Sequence, residues 1–165
     1  MDFFKRSFST ESLIKGELLL IDKPVGWSSF QVVNKIRWHL KNKTGLKKLK
    51  VGHAGTLDPL ATGLLLICTG KKTKTIETYQ KQEKEYVGKL FLGATTLSYD
   101  LETNRDYSYP TEHITHQHIL DMSKQFTGEI EQYPPVFSAL KKEGKRLYKY
   151  AREGLKPEIK SRHVL

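Results

Sequence analysis

Asp58 is the one carboxylate in the run Gly52-His53-Ala54-Gly55-Thr56-Leu57-Asp58-Pro59-Leu60-Ala61-Thr62-Gly63. Its neighbours are small or neutral. Three glycines let the backbone turn tightly or approach a ligand closely, and Pro59 restricts the acid before it to extended geometry. A lone acid in so stiff a loop suggests a positioned carboxylate. The same residues also make an ordinary Asp-Pro turn between two strands, and spacing taken alone favours the turn.

Other reactive types are weaker. Gly70-Lys71-Lys72-Thr73 superficially suggests a phosphate loop, but Leu65 stands where the first glycine belongs and Lys72 replaces the required hydroxyl residue. A P-loop nucleotidase is therefore excluded. His113, His116 and His118 cluster without a cysteine pair or an HExxH pattern, so they read as a solvated helix entrance and not a metal site. Cys68 lies in an apolar run and reads as a small core residue. Tyr86 opens an alternating segment, where packing is the simpler role. Trp38, Tyr148 and Tyr150 stand among cations, where rings either pack or stack on unpaired bases.

Elements must hold these groups. Gly16–Asp22 reads as a buried strand, and Lys23-Pro24-Val25-Gly26 as the turn after it. Ser28 and Gln31 have capping-box spacing. Phe30, Val33, Ile36 and Leu40 then form one helical face. Lys43–Lys48 reads as a basic loop around Gly45. Gly63–Thr69 is a second apolar strand closed by Gly70, and Lys71–Gln80 a short helix. Glu85–Leu92 alternates as a strand. Thr95–Pro110 is polar and reads as a surface loop. Thr115 caps a helix carrying Ile119, Met122 and Phe126. Glu129–Gln132 and Val136–Leu140 read as short strands about a bend, and Lys145–Glu153 as a last helix. The mixture is α+β, with residues 1–15 an N-terminal extension and 16–165 the body of the domain.

The 165 residues suffice for one domain with a core, and the single cysteine excludes an internal disulfide framework. No apolar run reaches the length of a membrane span, and the N-terminus lacks the apolar stretch of a secretory signal; a cytoplasmic, membrane-free protein is expected. Net charge is +10 and uneven. Residues 31–57 hold seven basic residues and no acid, and residues 141–162 hold nine basic residues against three acids. Clustered positive charge favours a polyanion, with nucleic acid ahead of a membrane surface.

Four segments together resemble one family: IDKPVGWSS at 21–29, GHAGTLDPLATG at 52–63, KEYVGKLFLG at 84–93 and PPVFSALKKEGKRLYKYAREG at 134–154. In order and in motif they resemble the TruB family of tRNA pseudouridine synthases, over about residues 16–160. The resemblance replaces the turn reading of Asp58. It implies the pseudouridine synthase fold, a mixed, mostly antiparallel sheet flanked by helices. It also implies isomerisation of uridine-55 in the T arm of tRNA, without cofactor or metal. Asp58 aligns with the catalytic aspartate, a nucleophile or a proton abstractor, and an ordinary carboxyl pKa of about 4 leaves it ionised at neutral pH. Tyr86 aligns with a tyrosine that stacks on the target base, and His53 with a histidine that meets the flipped nucleotide. Lys23 aligns with a lysine that supports the loop, and Lys74 lies where a phosphate contact is expected.

The chain departs from the family in one large respect. A later strand, with a G-T-Y-I-R-like motif, supplies an arginine facing the aspartate. None of Arg6, Arg37, Arg105, Arg146, Arg152 or Arg162 has that context. The chain is therefore expected to be the N-terminal part of a truncated catalytic domain, lacking also the family's C-terminal RNA-binding extension, and is not expected to turn over alone. Phe137 stands where relatives commonly carry tyrosine. A monomer is the default. The rival reading is a tRNA-binding or folding module without chemistry; a DNA-binding protein is weaker, since no recognition-helix or zinc-finger pattern occurs.

Overall fold

The computed structural model describes residues 7–138, 140–155 and 157–164. The chain divides into two compact units, Met1–Tyr86 and Val87–Leu165.

In the first unit, α1 (Thr10–Lys15) is followed by β1 (Leu18–Lys23), α2 (Ser29–Thr44), β2 (Val51–His53) and β3 (Gly63–Thr69). A 3-10 helix (Gly70–Thr75) and α3 (Ile76–Gln80) complete it. The strands form an antiparallel sheet in the order β1-β3-β2, with Lys23 opposite Gly63 and His53 opposite Ile67. Strand alternation explains the core. Leu19, Leu65 and Ile67 point to one face and meet Val32, Val33, Ile36 and Leu40 of α2, with Leu13 of α1 sealing the end. The opposite face leaves Leu20 and Leu64 66% and 64% exposed. Phe8 and Leu49 pack against the core, whereas Phe3 and Phe4 lie outside the described residues.

The helix start is as expected: Ser28 and Gln31 form a reciprocal capping box, and Gly45 ends α2 in the left-handed region at φ 73. The expected apolar face is displaced. Val32 takes the core position and Phe30 is 64% exposed, because the buried stripe runs through Ser29, Val32, Val33, Ile36 and Leu40. The expected single helix after β3 is a 3-10 turn before an α-turn.

Gly70 explains that tight junction. Its φ is +50, and a Cβ there would lie 2.1 Å from the Ile14 carbonyl oxygen and 2.4 Å from that of Leu13. Both are backbone atoms that cannot swing away. Gly70→Ala is therefore expected to destabilise the protein by more than about 2 kcal/mol, read as a lower urea midpoint with an unchanged m-value.

The second unit pairs β4 (Ala94–Thr96) with β5 (Arg105–Ser108), β6 (Ile130–Gln132) with β9 (Arg162–Val164), and β7 (Lys141–Lys142) with β8 (Lys145–Arg146). Its helices are α4 (His116–Ser123), capped by Thr115 and His118, and α5 (Leu147–Arg152). Three expectations fail here. Glu85–Leu92 forms no strand: alternation marks a segment able to pair, and among the described residues no partner pairs with it. The segment Thr95–Pro110 is not a plain loop. Its polar side chains hold a hairpin, with Thr95 Oγ1 donating to Asp106 Oδ1 at 2.6 Å. Residues 136–138 bend instead of extending, and Ala139 lies outside the described residues. Ile119 and Met122 of α4 are 48% and 53% exposed, and Phe126, in the 3-10 turn Lys124–Phe126 that follows, is 72% exposed, so this apolar side is uncovered among the described residues. In place of the expected larger mixed sheet, the strands among the described residues form small sheets, all antiparallel.

Candidate active-site loop

β1 ends beside the start of β3, with Lys23 opposite Gly63, whereas β2 pairs with the last three residues of β3 and ends at His53, opposite Ile67. The loop 54–62, joining β2 to β3, runs from there back to the start of β3, the end where β1 finishes. The turn 24–28, which leads from β1 into α2, sits there too. Two contacts tie loop and turn together. Gly26 N–H donates to the Pro59 carbonyl at 2.7 Å. Ser29 Oγ accepts from Leu57 N–H at 2.9 Å and donates to the Leu57 carbonyl at 3.1 Å. Within the loop, Ala61 N–H donates to the Asp58 carbonyl at 3.1 Å, and Ala54 N–H to Leu66 O at 2.8 Å. Gly55 adopts φ +109, a conformation that L side chains rarely take. Asp58 is exposed, so its backbone is anchored while its side chain is reachable from solvent.

Lys23 is the buried charge beneath this loop. It continues the inward parity of Leu19 and Ile21, and its side chain is fully buried. Its ammonium donates to the Trp27 carbonyl at 2.6 Å and to the Pro24 carbonyl at 3.0 Å. Burial pushes its pKa down from 10.5, and the negative charge of Asp58 opposes that shift. The two groups therefore feel each other across the turn. His53 shares the inward side of β2 with Val51, half-buried, and its Nδ1 is hydrogen-bonded to the Gly55 carbonyl. A carbonyl can only accept, so Nδ1 is the donor in this hydrogen bond.

Lys23 and the Asp58 loop thus share one end of the sheet, while His53 stands where that loop leaves β2, opposite Ile67. Lys74 does not belong to that group. It lies on the 3-10 helix that follows the other end of β3, lining a basic groove. Tyr86 is 75% exposed on irregular backbone, so nothing here fixes its ring against Asp58. The rings flagged beside cations are engaged by them: Lys35 Nζ lies 5.2 Å from the Trp38 ring centre, Lys145 Nζ 4.6 Å from Tyr150, and the Arg152 guanidinium 5.4 Å from Tyr148. Burial raises the Cys68 thiol pKa, consistent with a core residue. Among the described residues, no group of His, Cys, Asp and Glu could hold a metal, and no helix is long and apolar enough to cross a membrane.

Residues 41–165 match the TruB family pseudouridylate synthase N-terminal domain. The chain belongs to the TruB family. It is 62% identical over 153 residues to the tRNA pseudouridine synthase B of Flavobacterium johnsoniae, covering 92% of this chain and 67% of that protein. To the protein of the same name from Phocaeicola vulgatus it is 57% identical over 151 residues, covering 92% and 64%. A third relative so named, from Chloroherpeton thalassium, is 54% identical over 150 residues, covering 90% and 61%. The chain thus spans about two thirds or less of the length of these TruB relatives.

Ser29 is the site residue that the motifs did not single out. It is 2% exposed and is the direct tether of the Asp58 loop to α2. The signal was available: a second serine directly inside a capping box is a poor helix former with no cap left to make. Ser29→Ala leaves both Leu57 backbone groups without their partner. It is expected to cost about 1–3 kcal/mol in chemical denaturation, whereas a shift under about 0.3 kcal/mol would remove Ser29 from this role.

Proposed function

We propose that this chain carries the active-site loop of a tRNA pseudouridine synthase acting on uridine-55 of the T arm. The observation that supports the reading best is the anchored loop that presents Asp58 to solvent directly above buried Lys23. The reaction breaks the N-glycosidic bond, turns the uracil and joins it to the same ribose through carbon. Asp58 attacks the ribose–uracil unit, as nucleophile or as proton abstractor. His53 faces the flipped nucleotide. Tyr86 stacks on the base once RNA orders its segment. Lys23 holds the turn that backs the loop, and Lys74 meets phosphate. The reaction so read uses neither cofactor nor metal, and the chain acts in the cytoplasm as a monomer. An arginine facing Asp58 completes this reading, and its motif does not occur within residues 1–165.

The target base must leave its stack, at a cost of a few kcal/mol that phosphate contacts offset. With about six phosphates contacted, log K for a T-arm stem-loop is expected to fall with log salt at a slope of roughly −4 to −5. A slope near zero would remove the RNA reading. The direct test is a pseudouridine assay on that stem-loop. This chain is compared with a version extended past Leu165 by the corresponding arginine-bearing segment of a TruB relative. Pseudouridine is expected with the extension. If neither protein forms any while both bind the RNA tightly, the rival reading of a binding module without chemistry takes its place.

A further inference from the structure

Leu57, the residue before Asp58, is held at three points. Its side chain packs against the core, and both of its backbone groups meet one hydroxyl, that of Ser29, 28 positions earlier in the chain. A single side chain here satisfies a donor and an acceptor that a neighbouring strand would otherwise serve. The Leu57 carbonyl belongs to the same planar peptide as the Asp58 nitrogen. A bond to that carbonyl therefore fixes the plane from which the Asp58 side chain departs. On the other side of the acid, Pro59 has a restricted φ and its carbonyl accepts from Gly26 N–H at 2.7 Å. Asp58 is thus an exposed residue between two held neighbours.

The Ser29 hydroxyl has no use within its own helix. The capping box closes through Ser28 and Gln31, and Ser29 stands just inside it, 2% exposed. Alanine would suit the helix better at that position. The hydroxyl serves the loop.

We propose that Ser29 is a positioning residue for the reaction: its hydroxyl sets the direction in which the Asp58 carboxylate meets the ribose–uracil unit. It acts on the rate through Asp58 and not on RNA affinity. This rests on the reading of Asp58 above and adds a residue to that site. Attack demands near-contact geometry, and a misplacement of about 1 Å costs on the order of 10²-fold in rate.

Thr69 supplies a matched control. It is fully buried, and its hydroxyl also joins two backbone groups, accepting from Glu17 N–H and donating to the Leu13 carbonyl, both at 3.0 Å. It stands at the last residue of β3, whereas the Asp58 loop enters at the first. Ser29→Ala and Thr69→Val are compared in the chain extended past Leu165. Single-turnover pseudouridine formation, T-arm affinity and urea midpoint are measured for each. Both substitutions should lower the midpoint, since each strands two buried backbone groups. Ser29→Ala is expected to lower the rate about 10- to 100-fold with affinity within about twofold, and Thr69→Val to keep the rate within about threefold. Equal rate losses in the two variants would reduce the effect to stability and overturn the proposal. An unchanged rate in Ser29→Ala would overturn it too, as would a loss of affinity as large as the loss of rate.

Amide exchange in the unsubstituted 165-residue chain needs no turnover. Leu57 N–H should exchange at least about tenfold more slowly than that of exposed Thr56, relative to the rates of an unfolded chain. Equal protection would mean that Ser29 does not hold Leu57, and the proposal would fall. An extended parent without turnover would remove the reading of Asp58 and this proposal with it. A parent that turns over beside an unimpaired Ser29→Ala would remove this proposal alone.

Discussion

Asp58→Asn is expected to abolish pseudouridine formation, by at least about 10³-fold in the single-turnover rate, while T-arm affinity changes no more than a few-fold. The amide nearly matches the carboxylate in size. The loop is held by backbone groups of Leu57, Pro59 and Ala61, none of which the substitution touches. What disappears is the negative charge that the proposed attack on the sugar, or removal of its proton, requires. A group acting only in the transition state lowers the rate without lowering affinity, so the split between rate and binding separates a catalytic role from a structural one. The measurement needs a protein that turns over, hence the extended version of the chain. Equal rates for Asp58→Asn and the parent would end the catalytic assignment. Loss of binding with the rate would make Asp58 a loop-folding residue instead.

Lys23→Met should act through the fold. Methionine fills much of the same volume, but it cannot donate to the Pro24 and Trp27 carbonyls, and it removes the positive charge facing Asp58. Two acceptors left without a partner are expected to lower stability by about 2 kcal/mol or more, after the relief of burying one ammonium fewer. Pseudouridine formation should fall about 10- to 100-fold as the turn that backs the loop loosens, equivalent to about 1.4–2.8 kcal/mol of activation free energy.

The pH dependence gives Lys23 a second signature. Its folded-state pKa is lowered below 10.5, so between that lowered value and 10.5 the unfolded chain holds a proton the folded chain has released. Stability is then expected to rise with pH through this window in the parent relative to Lys23→Met, because unfolding takes up the proton. Urea midpoints of both proteins measured from pH 8 to pH 11 report the difference. A constant gap across that range would mean that Lys23 pays no burial penalty as a cation.

Much of the site's framework was legible from short-range pattern. The capping box at Ser28 and Gln31, the strand Gly63–Thr69 and the cap at Thr115 each depend on residues a few positions apart. The structure reproduces them nearly residue for residue. The buried position of Lys23 was also implicit, since it shares parity with Leu19 and Ile21, yet a lysine at a strand end is ordinarily assigned to solvent. The failures have a common cause. Glu85–Leu92 alternates as a strand but lacks a pairing backbone among the described residues. Phe30 is apolar but falls outside the stripe that faces the sheet.

The amino-acid sequence by itself determined the family, the candidate carboxylate and the imbalance of charge. Each is carried by residue identity and by spacing along the chain, which no packing can alter. Only the tertiary structure decided which charges meet. Pairing of β1 with β3 brings Lys23 and the Asp58 loop to one end of the sheet, and pairing of β2 places His53 further along β3, opposite Ile67. The second half of α2, the lysine-rich loop and the 3-10 helix lie at the other end, where Lys74 joins the basic groove. Charges distant in sequence interact through space, and their separation is set by strand register and helix packing.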